Sequence, residues 1–189
     1  MKELAKLYTR NGDKGETFLL FGEKVSKNDI RVECYGAIDE CMSNLGVAKA
    51  ILNDKNQQEV ENSILDIQRK LFIISSEIAC PKNKYAEMKK KYRYISEDMI
   101  KEVEDSIDYF QKNTPEINFF VLPGSSQTSS YIDISRTICR KAERLCVKVK
   151  GNNLLNNELN LILLNRLSDL LFILARYIDK DNEYIKATE

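Results

Sequence analysis

Residues 156–179 read NNELNLILLNRLSDLLFILARYID. Leu159, Leu161, Ile162, Leu163, Leu164, Leu167, Leu170, Leu171, Phe172, Ile173 and Leu174 put apolar side chains on nearly every side of a helix. No strand alternation competes with that period. A helix apolar all round belongs at the centre of a bundle or at an oligomer interface. Its polar residues stand out: Asn165, Asp169 and Arg176 fall on one stripe with Phe172, and Arg166 and Ser168 lie beside it. Buried without partners, such groups cost about 1–3 kcal/mol each. They form either an internal hydrogen-bond network or the wall of a ligand site.

The segments upstream are helical as well. Residues 128–150 carry Tyr131, Ile134, Ile138, Leu145 and Val149 on one side and stop at Gly151. Ser96, Glu97 and Asp98 open a helix that runs to about 112 through Ile100, Val103, Ile107 and Phe110. From 56 to 79, Val60, Ile64, Ile67, Leu71, Ile74 and Ile78 alternate steps of four and three, and Cys80-Pro81 ends the seam. From 30 to 53, an apolar stripe (Val32, Tyr35, Ile38, Met42, Leu45, Leu52) lies beside a stripe of small residues, Gly36, Ser43, Gly46 and Ala50, that includes Asp39. Small residues let another helix approach closely, so Asp39 is expected at a helix–helix or subunit contact. The Lys- and Tyr-rich stretch 82–95 reads as a solvated connection, and INFFVLPGSSQTSS (117–130) as a non-helical crossing. The expected architecture is all-α: a five-helix up-and-down bundle forming one domain over 1–189, and oligomeric.

Composition narrows the chemistry. Twenty-nine basic residues balance twenty-nine acidic ones, so no global field favours nucleic acid or an anionic membrane. The start, MKELAKLYTRNGDK, has no signal-peptide core, and no apolar run approaches the roughly 20 residues that span a bilayer. A soluble, cytoplasmic protein is expected. The five cysteines, 34, 41, 80, 139 and 146, contain no CxxC and read as reduced, packed thiols rather than metal ligands. The chain has no histidine, which removes imidazole acid–base catalysis and most zinc sites.

Two clusters carry binding chemistry. YTRNGDKGET (8–17) crowds Gly12, Gly15, Arg10, Lys14, Thr9, Thr17 and Asp13 into ten positions. Glycines expose backbone N–H groups and the cations add charge, which suits a polyphosphate, although GxxxxGK[ST] is absent. The bland alternative is a solvated N-terminal arm. Arg136, Arg140 and Arg144 stand four apart on one helix face, with Glu143 beside them. They either grip anions, Asp39 or a phosphate chain among them, or form a surface stripe with i,i+4 pairing.

Taken together, these segments resemble the PduO-type ATP:cob(I)alamin adenosyltransferases. YTRNGDKGET and VSKNDIRVECYGAIDE (25–40) resemble that family's opening loop and first helix, FVLPGSSQTSSYIDISRTICRKAER (120–144) its second signature, and LNRLSDLLFILARY (164–177) its third. The resemblance implies homotrimers that bind ATP at each subunit interface and move its 5′-deoxyadenosyl group, with Mg²⁺, onto the cobalt of cob(I)alamin. It places Thr9, Gly12, Asp13, Lys14, Gly15, Thr17 and Lys27 on the phosphates, in a nucleotide-binding loop within residues 1–29. Arg140, Glu143, Arg144 and Asn165 complete the nucleotide site from a neighbouring chain. Asp39 and Arg136 match an intersubunit ion pair that also supports the corrinoid, and Phe120 matches the aromatic below the corrin ring that displaces the lower axial base. A cobalamin reductase and an adenosylcobalamin-dependent enzyme are the implied partners. The chain departs from the family at Met42, Ser125, Asp133 and Ser135, and ends about ten residues after LARY. The runner-up is an ATP- and cobalamin-binding sensor or corrinoid chaperone without efficient turnover.

Overall fold

The computed structural model describes residues 8, 10–52 and 57–188. Their order is β1 (Glu16–Phe18), β2 (Lys24–Ser26), α1 (Ile30–Ala50), α2 (Gln58–Ile78), α3 (Tyr85–Lys91), α4 (Glu97–Lys112), α5 (Gln127–Gly151) and α6 (Leu159–Ile178). The described residues are mainly helical, with one short antiparallel hairpin, β1 to β2, in which Thr17 faces Val25, and an isolated bridge between Val121 and Lys186. That hairpin corrects the all-α expectation at the N-terminus. Strands of three residues carry too little alternation to be read from a sequence.

Helix α5 packs on both α1 and α6, α1 on α2, and α6 on α4. Lys70 of α2 reaches Glu102 of α4 at 2.9 Å. The seam expected on α2 is the core: Val60, Ile64, Ile67, Leu71, Ile74 and Ile78 are all fully buried. Helix α6 buries Leu163, Leu164, Leu167, Leu170, Leu171 and Leu174 against it, but Ile162, Asp169 and Phe172 remain exposed. Its apolar surface therefore exceeds what one chain covers. No described helix is long and apolar enough to cross a membrane.

All five cysteines are unpaired and buried. Four lie on the seam between α1 and α5, where small side chains let the two backbones approach. Cys41 Sγ donates to the Ser135 carbonyl at 3.2 Å and Cys34 Sγ to that of Ala142 at 3.6 Å. Hydrogen bonding with Cys146, together with burial, pushes the Cys34 thiol well up; Cys41 and burial do the same to Cys139.

The stretch 82–95 is not a bare connection. A 3-10 turn at Lys82–Lys84 leads into α3, which buries Met88 and leaves Lys89, Lys90 and Lys91 exposed. Glu77, fully buried at the end of α2, organises it. Its carboxylate accepts from Tyr85 Oη at 2.6 Å, Ile95 N at 3.0 Å and Asn157 Nδ2 at 3.0 Å. Helix α5 begins with a Ser126/Ser129 capping box. It ends at the expected Gly151, and two residues on Asn153 takes the left-handed conformation (φ 57°). Leu154 N donates to Val149 O and Asn153 N to Lys150 O, the paired bonds of a Schellman cap.

Candidate functional site

The N-terminal loop is a chain of turns tied to the hairpin. Asp13 N donates to Arg10 O at 3.4 Å, Gly15 N to Gly12 O at 3.2 Å, and Lys27 N to Gly15 O at 2.8 Å. Gly15 sits at φ +79°, which favours glycine, and Arg10 at φ 60°. The register Glu16 to Ser26 returns the chain beside the loop, so Lys27 comes over Gly12. Leu19 is buried, and Leu20 N donates to Ala79 O at 3.0 Å, docking the hairpin on the end of α2. Asp29 caps α1 and holds Arg31, which also reaches Glu23 at 3.1 Å. The Arg31 guanidinium holds the Asp29 carboxyl below the usual range. Arg10, Asp13 and Lys14 are exposed, Thr17 is half-buried, and Thr9 lies outside the described residues.

The second cluster stands on α5 and α6. Arg140 and Arg144 are exposed and make no ion pair among the described residues. The surface-stripe reading, with Glu143 neutralising them, does not hold. Glu143 Oε1 instead accepts from Asn165 Nδ2 on α6 at 3.2 Å, and Asn165 Oδ1 accepts from Arg166 Nη1 at 3.0 Å. Two residues 22 apart, singled out separately, thus meet.

A third group surrounds Arg136. Its Nε donates to Asp133 Oδ1 at 2.9 Å, and both line a cavity of about 270 Å³ with Pro123, Gly124, Ile134 and Thr137. Asp39 is exposed on α1, and within the chain Arg136 turns to Asp133 rather than to Asp39. Phe120 is 82 % exposed on the crossing segment. That segment pairs with the chain end: Leu122 N donates to Ile185 O at 2.9 Å and Ala187 N to Phe120 O at 2.7 Å. Residues Ile185 and Ala187 are therefore engaged beside Phe120. Sequence reasoning missed this pairing, and it missed the partnership of Asp133 with Arg176. The available signal for the latter was an arginine on an otherwise apolar helix face, which must find an anion.

A helical protein with exposed cations on a turn-rich loop and on one helix face is equipped to hold a nucleotide polyphosphate. The chain belongs to the cobalamin adenosyltransferase family, which matches residues 7–178. A corrinoid adenosyltransferase of Citrobacter freundii is 34% identical over 171 residues, covering 90% of this chain and 93% of that one. One from Bacillus subtilis is 37% identical over 175 residues, covering 92% and 86%. A variant PduO-type ATP:corrinoid adenosyltransferase from Lactobacillus reuteri, solved with cobalamin and ATP, shares the fold with a TM-score of 0.88. It is 32% identical, covering 97% of this chain and 100% of that one.

Proposed function

We propose that this protein transfers the 5′-deoxyadenosyl group of ATP to the cobalt of cob(I)alamin, giving adenosylcobalamin and triphosphate. The observation that carries the reading is the pair of exposed guanidiniums, Arg140 and Arg144, without an ion pair among the described residues, beside the Glu143–Asn165 bridge. In the transfer, the Co(I) electron pair attacks C5′ and becomes the Co–C5′ bond, the C5′–O5′ bond breaks, and triphosphate leaves with the electron pair of that broken bond. Cob(I)alamin needs no general base, which agrees with a chain that has no histidine. The protein's work is to align cobalt with C5′ and to hold the leaving triphosphate.

Arg140, Lys14, Lys27 and the N–H groups around Gly12 and Gly15 hold the phosphates, with Arg10, Asp13, Thr9 and Thr17 completing the loop. Glu143, Arg144 and Asn165 fix the nucleoside end. Mg²⁺ supplies further neutralisation of the phosphates. No cluster of three or more carboxylate or thiol groups is placed to hold a metal among the described residues, so the ion would be bound through ATP itself. Phe120 offers a phenyl face under the corrin, and no imidazole of the chain can replace the displaced lower ligand.

The assembly is a homotrimer of five-helix up-and-down bundles, working in the cytoplasm with a cobalamin reductase and an adenosylcobalamin-dependent acceptor. What supports a partner copy is surface left open by one chain. Gly36, Asp39, Ser43 and Ala50 are exposed on α1, and the arginines are exposed on α5. Asp39 of one chain would then meet Arg136 of the next. The test is to mix protein, ATP, Mg²⁺ and chemically reduced cob(I)alamin and follow the cob(I)alamin spectrum. Conversion to adenosylcobalamin is expected; binding of both ligands without product would point to a sensor or chaperone.

A further inference from the structure

Arg176 stands on leucine-rich α6 with 2 % of its surface exposed. A guanidinium buried there needs an anion, and its Nη2 donates to Asp133 Oδ2 at 2.5 Å. Asp133, 4 % exposed, uses its other oxygen to accept from Arg136 Nε. One buried carboxylate thus bridges two guanidiniums on different helices, one in the core and one at the Pro123–Thr137 cavity. Because Arg136 is held through Nε, its two terminal nitrogens have no partner among the described residues and stay available to a ligand or a neighbouring chain.

Arg176 is also connected on its far side. Its guanidinium lies 5.4 Å from the centre of the Phe172 ring, and its carbonyl accepts from Tyr184 Oη at 2.8 Å. Tyr184 begins the segment that pairs through Ile185 and Ala187 with Leu122 and Phe120. Arg136 and Phe120, sixteen positions apart, are therefore tied to the same buried ion pair by two routes.

We propose that Asp133, anchored by Arg176, is a positioning residue for the corrinoid half of the site. It sets the orientation of Arg136 and, through Arg176 and the chain end, couples it to Phe120. This rests on the adenosyltransferase reading. Asparagine at 133 replaces a doubly accepting anion with a neutral amide and leaves Arg176 without its charge partner. Glutamate keeps the charge, and with it the fold, but moves the carboxylate by one methylene.

The experiment compares wild type, Asp133→Asn and Asp133→Glu as the full chain with ATP, Mg²⁺ and reduced cob(I)alamin. It also records the visible spectrum of cob(II)alamin bound in the presence of ATP. Both variants are expected to raise the corrinoid KM about tenfold or more while holding the ATP KM within about twofold, since a misplaced group costs only the step that it orients. The four-coordinate cob(II)alamin fraction should fall in parallel. A folded Asp133→Glu with wild-type corrinoid KM and spectrum, or with equal rises in both KM values, overturns the inference while leaving the activity standing. An inactive wild type overturns the adenosyltransferase reading and this inference with it.

Discussion

The ammonium of Lys27 lies 3.1 Å from the position that a Cβ would occupy on Gly12, and its Cε lies 3.3 Å away. The loop is therefore shaped around a cation delivered by the hairpin, with the Lys27 N–H bonded to Gly15 O at 2.8 Å. Lys27→Ala is expected to raise the ATP KM about tenfold or more, the loss of a charge-assisted phosphate contact, with the corrinoid KM unchanged. Gly12→Ala displaces the ammonium rather than removing it and should give a smaller shift of the same kind. Steady-state kinetics with each substrate varied in turn checks both; an unaltered ATP KM in Lys27→Ala would remove this residue from the phosphate site.

Arg140 is exposed and has no ion pair among the described residues, so its loss should not disturb the fold. As a holder of the leaving triphosphate, it acts where charge develops. Arg140→Ala is expected to lower turnover about 100- to 1000-fold with the melting temperature and oligomeric state unchanged. Unchanged turnover would reject the phosphate role.

Asp39 sits on the exposed small-residue face of α1. Asp39→Asn is expected to weaken cobalamin binding while ATP binding is largely kept. Titration of each ligand measures the division. Equal loss of both affinities would contradict it.

Glu77 gives a pH signature of the fold. Burial, outweighing its bonds to Tyr85, Ile95 and Asn157, pushes its pKa above the ordinary 4.5. Between 4.5 and that raised value the folded chain keeps a proton that the unfolded chain has released. Its contribution to stability therefore falls as pH rises through that window, and is constant above it. Glu77→Gln is expected to flatten this slope in urea unfolding across the acid range. It should also lower stability at neutral pH by about 1–3 kcal/mol, because an amide cannot accept from all three donors. A slope that survives the substitution assigns it elsewhere.

The elements that could be read from the chain were those whose signal is local and periodic. The α2 seam from Val60 to Ile78 repeats in steps of four and three, and every member is buried. Ser96 before Glu97 and Asp98 marked the start of α4. The end of α5 at Gly151 was legible, but only the backbone shows that Asn153, two residues on, takes the left-handed position. The hairpin Glu16–Ser26 was hidden by its brevity. In the site, the family resemblance implied that Glu143 and Asn165 belong to one group, and the structure joins them at 3.2 Å. The bridge from Asp133 to Arg176 spans 43 positions between two helices. Its members look independent along the chain, since helical periodicity gives a residue's face but not its partner across the packing.

The thiols between α1 and α5 give the molecule a built-in clock. Cys34, Cys41, Cys139 and Cys146 have no exposed surface, and hydrogen bonding and burial hold Cys34 and Cys139 in the unreactive thiol form. An alkylating reagent can reach them only when the two helices separate, so the rate of modification counts those separations directly. Those helices carry Asp39 and the arginine row, one on each side of the seam. A ligand or second copy that grips both should slow the clock, making occupancy of the site measurable without any turnover.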